Sequence, residues 1–276
     1  MSKKQKCISL IVFAVLICVF LLGIFIVKSP GETETIQETM RNEVLHETVK
    51  VSLFGIKDVN PGLISAFCVT FIITVFALIV RIFVIPKFKY VPGKFQLILE
   101  EAVGTFDRLA QSNSPHKNKF LGAYVFTAGT YIFIGTIFEL FGFQAISSNG
   151  ASVTLPAPLS DINGAICMGF LSYGIILSGG IATNGIKGVG RTLKDFSLPI
   201  SMSFRLFGAL LSGALVTELV YYYIGLSFVL PVIVGVLFTL LHALIQAYVL
   251  TMLTALFYGE VSEPAKPKLK NKKTAN

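Results

Sequence analysis

Six long apolar stretches divide the chain, and each has close to the roughly 20 residues that a transmembrane helix needs. They are Ile8–Val27, Leu63–Ile85, Phe120–Phe143, Ile162–Ile181, Leu198–Ile224 and Val229–Tyr258. The first follows Lys3, Lys4 and Lys6, as a signal peptide would. Its apolar run exceeds the roughly 7–15 residues of a signal sequence, and no small-residue cleavage site follows. We therefore expect a retained anchor and six membrane spans.

The segments between the spans predict one further helix. In Val91–Gln111, apolar residues recur at three- and four-residue spacing, with Glu100, Glu101, Asp107 and Arg108 on the opposite face. The apolar positions are Phe95, Ile98, Leu99, Ala102, Val103, Phe106 and Leu109. This pattern predicts an amphipathic helix on the membrane interface. The segment Lys28–Gly62 is polar, and we expect an extended or partly helical linker there.

The last two spans are longer than a simple crossing requires. As a helix, Leu198–Gly225 would extend about 42 Å, against a hydrocarbon core of about 30 Å. Pro199 and Pro231 suit the first turns of the two helices. Because the connection between the spans is short, we expect a long, tilted, antiparallel hairpin. The predicted fold is all-α, with six membrane helices including this hairpin and one interfacial helix.

The distribution of lysine and arginine predicts the orientation of the spans. Pro86–Lys119 carries six of these residues, Ala182–Ser197 three and Gly259–Asn276 five, whereas Gln144–Asp161 and Gly225–Phe228 carry none. Both termini are therefore expected in the cytoplasm of a cell whose plasma membrane holds the protein. We divide the chain into an anchor and external linker (1–62), a membrane domain (63–261) and a basic cytoplasmic tail (262–276).

Composition excludes several classes of function. The chain is 54% hydrophobic and only 14% charged, against about 25% charged residues in soluble domains. Four cysteines without a CxxC pair and three scattered histidines give neither a disulfide framework nor metal-ligand spacing. The net charge of +8 comes from basic residues beside apolar segments, so we expect no nucleic-acid partner. Without a phosphate-binding loop or a nucleophile–base pair, we expect neither an enzyme nor a cofactor.

Arg205 is the main candidate for function, because ionisable residues inside the membrane are costly. It lies about 10 Å inside its helix and keeps its charge in practically any environment. Glu218 on the same helix is too distant to pair with it, at about 20 Å along the axis. Arg205 must therefore face carboxylates, water or a polar groove. Arg81, near a span end, can instead extend its side chain to the headgroups.

Further polar residues lie on the other spans. Gln246 shares a helix face with His242, and in an antiparallel hairpin it reaches the depth of Arg205; the alternative is an amide satisfied by neighbouring backbone. Glu139 lies near the external end of its span. Together with His242 and Glu218, it forms a polar trail inward from the outside. Asp161 and Asn163 begin the fourth span, where Asp161 alternatively only caps the helix.

Four short motifs resemble subunit a of the F-type ATP synthases, over about residues 63–261. Pro199-Ile-Ser-Met-Ser-Phe-Arg-Leu-Phe-Gly208 resembles that family's arginine signature. Ile245-Gln-Ala-Tyr-Val-Leu-Thr-Met-Leu-Thr254 is similar to its final-helix motif. Val91-Pro-Gly-Lys-Phe-Gln96, followed by Glu100, resembles the start of its interfacial helix. Ser160-Asp-Ile-Asn163 is similar to the start of its fourth helix.

The resemblance implies a non-catalytic stator subunit that lies against a rotating ring of c subunits. Two half-channels would pass protons to and from the ring carboxylates, with sodium as the alternative ion. Arg205 matches the family's essential arginine, and Gln246 matches the glutamine opposite it. The implied partners are the c-ring, the b-subunit stalk, the F1 sector and the lipid bilayer.

Three positions depart from the family pattern. Ala209 stands where asparagine is usual, Ala214 where a carboxylate is common, and Thr239 where histidine or glutamate is common. These departures affect the expected path of the outer half-channel. They leave open a structural paralogue that anchors the complex without transport. A stand-alone channel or transporter is a further alternative, although no internal repeat supports it.

Overall fold

The computed structural model describes Val15, Cys18 and residues 51–53, 56–115, 119–146, 152–222 and 230–264. Val15 and Cys18 are helical. The rest of the predicted first span, most of the linker, His116 and the basic tail lie outside the described residues.

Seven α-helices account for most of the described chain. In chain order, α1 to α7 are Pro61–Ile79, Lys94–Asn113, Lys119–Phe138, Ile162–Asn184, Ile186–Lys194, Ser197–Tyr222 and Leu230–Ser262. A π-helical turn at Val80–Val84 and a 3-10 turn at Ile85–Lys87 extend α1, and another 3-10 turn at Glu139–Phe141 follows α3.

Among the described residues, five helices are long and apolar enough to cross a membrane. They cover Pro61–Lys87, Phe120–Phe141, Ile162–Asn184, Ser197–Thr217 and Val232–Ser262. The second to sixth predicted spans are therefore confirmed as long apolar helices. The last two helices have 26 and 33 residues, or about 39 and 50 Å at 1.5 Å per residue. Their excess over the bilayer thickness is confirmed, whereas their tilt stays a prediction.

Two features were not predicted from the sequence. Short antiparallel hairpins join β1 (Val51–Leu53) to β2 (Ile56–Val59), and β3 (Gln144–Ile146) to β4 (Ser152–Thr154). Strands of three or four residues are too short to show a period-two pattern. The helix α5 lies between two spans, in Ala182–Ser197, where the sequence predicted no helix, and it follows a sharp turn at Gly185, whose φ is +55°.

The chain forms two compact units, and the first comprises Met1–Cys68, Ile134–Asp161 and Leu206–Leu244. In this unit the start of α1 is held by Asn60, whose Oδ1 accepts a 2.9 Å hydrogen bond from the Gly62 amide. The rings of Phe138 and Phe143 stack with their centroids 4.9 Å apart. The stack covers the buried Phe138 directly before β3.

The second unit comprises Val69–Phe133, Ile162–Arg205 and Ile245–Asn276. The interfacial helix α2 is confirmed as a helix, two to three residues further along the chain than predicted. Its second half packs inward: the Phe106 ring lies 5.8 Å from that of Phe126 on α3, and Ala110 is fully buried. Its first half leaves Phe95 and Ile98 exposed, as a helix lying on lipid would.

Candidate ion-translocation site

One face of α6 packs against α4 inside the second unit. Ser203 is buried, and its hydroxyl donates a 2.7 Å hydrogen bond to the carbonyl oxygen of Pro199. Gly169 of α4 lies directly against this turn, because a β-carbon at Gly169 would collide with Ser203 Oγ. Membrane helices commonly approach one another through small residues in this way. The contact determines which face of α6 is left uncovered.

The uncovered face of α6 carries a line of exposed residues at helical spacing. These residues are Ser201, Arg205, Gly208 and Ser212, and we call them the Arg205 stripe. Apart from the arginine, all are small. A β-carbon added at Gly208 would have no neighbour within 4 Å. The stripe therefore offers open space in which another helix can approach closely, beside a single large cationic side chain.

Arg205 has no acidic partner in the described part of the chain. Its side chain is exposed, and no described carboxylate lies within ion-pair distance of its guanidinium. It lies eight residues into α6, or about 12 Å from the helix start. A permanent charge at this depth in a membrane span is expensive without a counter-charge or water. The structure thus places the arginine on the face where a group from outside the chain can reach it.

Gln246 lies on the buried face of α7 in the same unit. It is only 5% exposed and is followed on the same face by the buried residues Ala247 and Leu250. No hydrogen-bond donor among the described residues reaches its Oε1. An unsatisfied buried polar atom costs roughly 1–3 kcal/mol, so we expect a water molecule or a donor from outside the described residues to reach this oxygen. The backbone alternative considered from the sequence does not account for this oxygen.

His242 lies in the first unit, where its half-buried imidazole packs beside α6. A β-carbon at Gly213 would be 3.6 Å from His242 Nδ1, an ordinary van der Waals distance, so the imidazole lies directly beside Gly213. The Phe238 ring lies 5.7 Å away between centroids. Glu218 belongs to α6, but its side chain lies outside the described residues.

The remaining predicted site residues lie at helix ends. Glu139 is half-buried and opens the 3-10 turn after α3, where its carbonyl oxygen accepts a 3.1 Å hydrogen bond from the Gly142 amide. Asp161 is half-buried, directly precedes α4 and lies beside Gly62 of α1. Asn163 is exposed, one residue inside α4. These positions agree with the start of α4 that the sequence predicted.

The small residues around the site were missed from the sequence. Gly169 allows α4 to approach α6, Gly208 leaves open space beside Arg205, and neither was singled out. The spacing of Ser201, Gly208 and Ser212 around Arg205 was a usable signal, since it follows the helical period. Among the described residues, no group of three or more His, Cys, Asp or Glu side chains could hold a metal ion.

Comparison with known proteins identifies the family. A protein-family model described as "ATP synthase A chain" matches residues 63–259 of the 276-residue chain. The chain belongs to the ATP synthase A chain family. A comparison with curated proteins returns no match.

Membership of the ATP synthase A chain family has direct consequences. The protein is a non-catalytic membrane subunit, subunit a of the Fo sector, with a proton-translocating role. The family also implies association with the c-ring and the rest of the ATP synthase. The recognition from sequence motifs is confirmed.

The contact between Gly169 and Ser203 yields a stability prediction. Gly169→Ala should lower the thermal unfolding midpoint of the purified protein, because the new methyl group forces α4 and α6 apart; overpacking typically costs about 1–3 kcal/mol. Gly174→Ala on the same helix is the matched control, since nothing lies within 4 Å of its β-carbon position. An equal midpoint for the two variants would contradict the close approach.

Proposed function

We propose that this protein forms the stator side of two half-channels and passes protons to and from the carboxylates of the rotating c-ring at Arg205. The observation that carries the proposal is the exposure of Arg205 on a stripe of small residues, without a described carboxylate to neutralise it. Family membership supplies the ring as the missing partner.

The Arg205 stripe suits the approach of a ring helix. Small residues let helix backbones come close in lipid, as Ser201, Gly208 and Ser212 would here. A ring carboxylate brought beside Arg205 would meet a fixed positive charge, which favours the ionised form of the carboxyl group. The ring carboxyl group therefore gives up its carried proton to the exit half-channel as it approaches Arg205.

The same charge would keep the two half-channels apart. A passing cation is repelled by a fixed guanidinium, and the repulsion is strong where the surroundings are apolar. Gln246 contributes a buried acceptor, Oε1, which no described donor satisfies. We assign to it the role of accepting a hydrogen bond from the guanidinium or from a channel water, which would hold the arginine in place.

We assign the outer half-channel to Glu139, His242 and Glu218, with Asp161 and Asn163 near the start of α4. Glu218 lies one helical turn beyond Ala214, about 6 Å along α6. His242 lies about 4.5 Å further along α7 than Thr239. A neutral imidazole can relay protons near neutral pH. The contact of His242 with Gly213 supports this assignment, because it places the ring against α6.

Orientation and cellular location form part of the proposal. The lysine- and arginine-rich segments favour cytoplasmic termini and a plasma-membrane location, with the outer half-channel opening to the exterior. The carried ion is taken to be the proton. The second candidate function, a paralogue that anchors the complex without transport, is favoured by Ala209, Ala214 and Thr239.

Replacing Arg205 should abolish coupled transport. In the assembled ATP synthase, Arg205→Ala should remove ATP-driven proton pumping into inverted vesicles while leaving the complex intact, since the side chain is exposed and packs no core. Arg205→Lys should be severely impaired, because an ammonium group lacks the planar fork of donors. The matched control is Arg81→Ala, which removes an exposed arginine from α1's π-helical turn and should leave pumping unchanged.

Two outcomes would contradict this assignment. Normal pumping by Arg205→Ala would exclude the proposed ring contact. A parental complex that assembles and hydrolyses ATP without moving protons would instead identify the anchoring paralogue.

The outer half-channel is tested with a double-mutant cycle. Glu218→Gln and His242→Leu should each slow proton flux at least tenfold with little loss of assembled complex, and their combination should be sub-additive because both block one path. The control is Thr217→Val, whose native hydroxyl donates a 3.0 Å hydrogen bond to the carbonyl oxygen of Gly213 on its own helix. Parental flux in both single variants between pH 6 and 8 would show that the ion takes another route.

A further inference from the structure

The short helix α5, Ile186–Lys194, has no role in the proton path described above. It follows α4 through the turn at Gly185, and only two residues separate its end from α6. Since α4 and α6 are both long enough to span a membrane, the chain leaves α5 no room to move far from the membrane surface.

One side of α5 is fixed against the protein. Gly188 and Thr192 are buried, and the backbone at Gly188 is so close to Gly180 of α4 that a β-carbon would collide with it. The Tyr173 hydroxyl donates a 3.0 Å hydrogen bond to the carbonyl oxygen of Thr192. The helix therefore cannot rotate about its axis, and its other faces have a defined direction.

A second side of α5 is apolar and exposed. At 100° per residue, Ile186, Gly190 and Leu193 lie within about 60° of one another. Ile186 is 91% exposed and Leu193 is 54% exposed. We call these three residues the apolar sector. Large apolar side chains with this exposure, directly beside membrane spans, are the side chains that an interfacial helix inserts among lipids.

A third side carries positive charge. Lys187, Arg191 and Lys194 are all exposed and lie next to the apolar sector, within about 60° of one another. We call them the basic sector. Arg191 also donates a 3.2 Å hydrogen bond to the carbonyl oxygen of Glu263, so one of its donors is already used at the end of α7. Lys187 and Lys194 lie about 10 Å apart along the axis, which is enough for each to meet a separate phosphate group.

We propose that α5 binds anionic phospholipid headgroups at the membrane surface. The apolar sector would lie at the boundary of the acyl chains, and the basic sector would contact lipid phosphates in the same leaflet. The two sectors adjoin each other, so one layer of anionic lipid satisfies both. The fixed side of the helix prevents the lysines from turning away. This interaction concerns the anchoring of the α4–α6 connection and does not depend on the proton path through Arg205.

The test captures lipids on the intact complex. The ATP synthase is placed in bilayer nanodiscs containing phosphatidylglycerol or phosphatidylcholine that carries a photoactivatable group near the headgroup. Cross-linked peptides of α5 are then quantified by mass spectrometry. Phosphatidylglycerol should dominate, and Lys187→Gln/Lys194→Gln should lower its capture about 25-fold, because each of the two lysines near an anionic surface contributes about a factor of five.

Three variants separate lipid binding from other effects. Lys87→Gln/Lys89→Gln causes the same change of charge at two exposed lysines outside α5 and should leave capture by α5 unchanged. Ile186→Ser/Leu193→Ser keeps the charges and should lower capture of both lipids. Arg205→Ala should capture lipid like the parent, so a failure of the proposed proton path would not affect this result.

Other outcomes would overturn the proposal. Equal capture of the two lipids by the parent would exclude recognition of the anionic headgroup. Parental capture by Lys187→Gln/Lys194→Gln would exclude the basic sector. A zero-length cross-link from Lys187 or Lys194 to a carboxylate of another subunit, without lipid capture, would identify a protein partner instead.

Discussion

The structure depends on one electrostatic constraint: a guanidinium that cannot lose its charge lies within a membrane span without a described acidic partner. The charge of Arg205 is stabilised within the membrane only if water or a counter-charge from another subunit reaches it. The other stripe positions, Ser201, Gly208 and Ser212, are small and exposed, with the exposed Phe204 ring at the side of the stripe. The opposite face of α6 contacts α4 at Ser203. The positive charge that is costly in the isolated chain can thus bind each carboxylate of the c-ring transiently as the ring rotates past it.

Close helix packing keeps this charge in position. In lipid the hydrophobic effect does little to bring helices together. Close packing of small residues and hydrogen bonds therefore determine which helices make contact. Gly169 against Ser203 fixes the rotation of α6 two residues before Arg205. Asn184 at the end of α4 donates 3.0 Å hydrogen bonds to the carbonyl oxygens of Val261 and Glu263, which satisfies the end of α7. These contacts hold the two helices that carry Arg205 and Gln246.

Sequence reasoning predicted the elements better than their contacts. Apolar length is sufficient to find a membrane span, so the second to sixth spans were recognised, and the energetic cost of a buried cation was sufficient to single out Arg205. The same apolarity hides which face of a helix is covered, because lipid-facing and protein-facing residues are equally apolar. The fit of His242 against Gly213, and the Arg205 stripe as a whole, therefore became apparent only in the structure. The helix α5 was missed because its nine residues combine glycines and lysines in a loop-like composition.

Disulfide cross-linking shows most directly whether the Arg205 stripe faces the c-ring. In a complex lacking native cysteines, Ser201→Cys and Ser203→Cys place the same small change on opposite faces of α6, exposed and buried respectively. Each variant is combined with a cysteine on the outer helix of a c subunit. This cysteine lies one helical turn from the ring carboxylate, at the membrane depth of residue 201. The complex is then oxidised so that neighbouring cysteines form a disulfide. If the stripe faces the ring, Ser201→Cys should cross-link to the ring and Ser203→Cys should not. Cross-linking through Ser203→Cys alone would contradict this orientation, because the opposite face of α6 would then meet the ring.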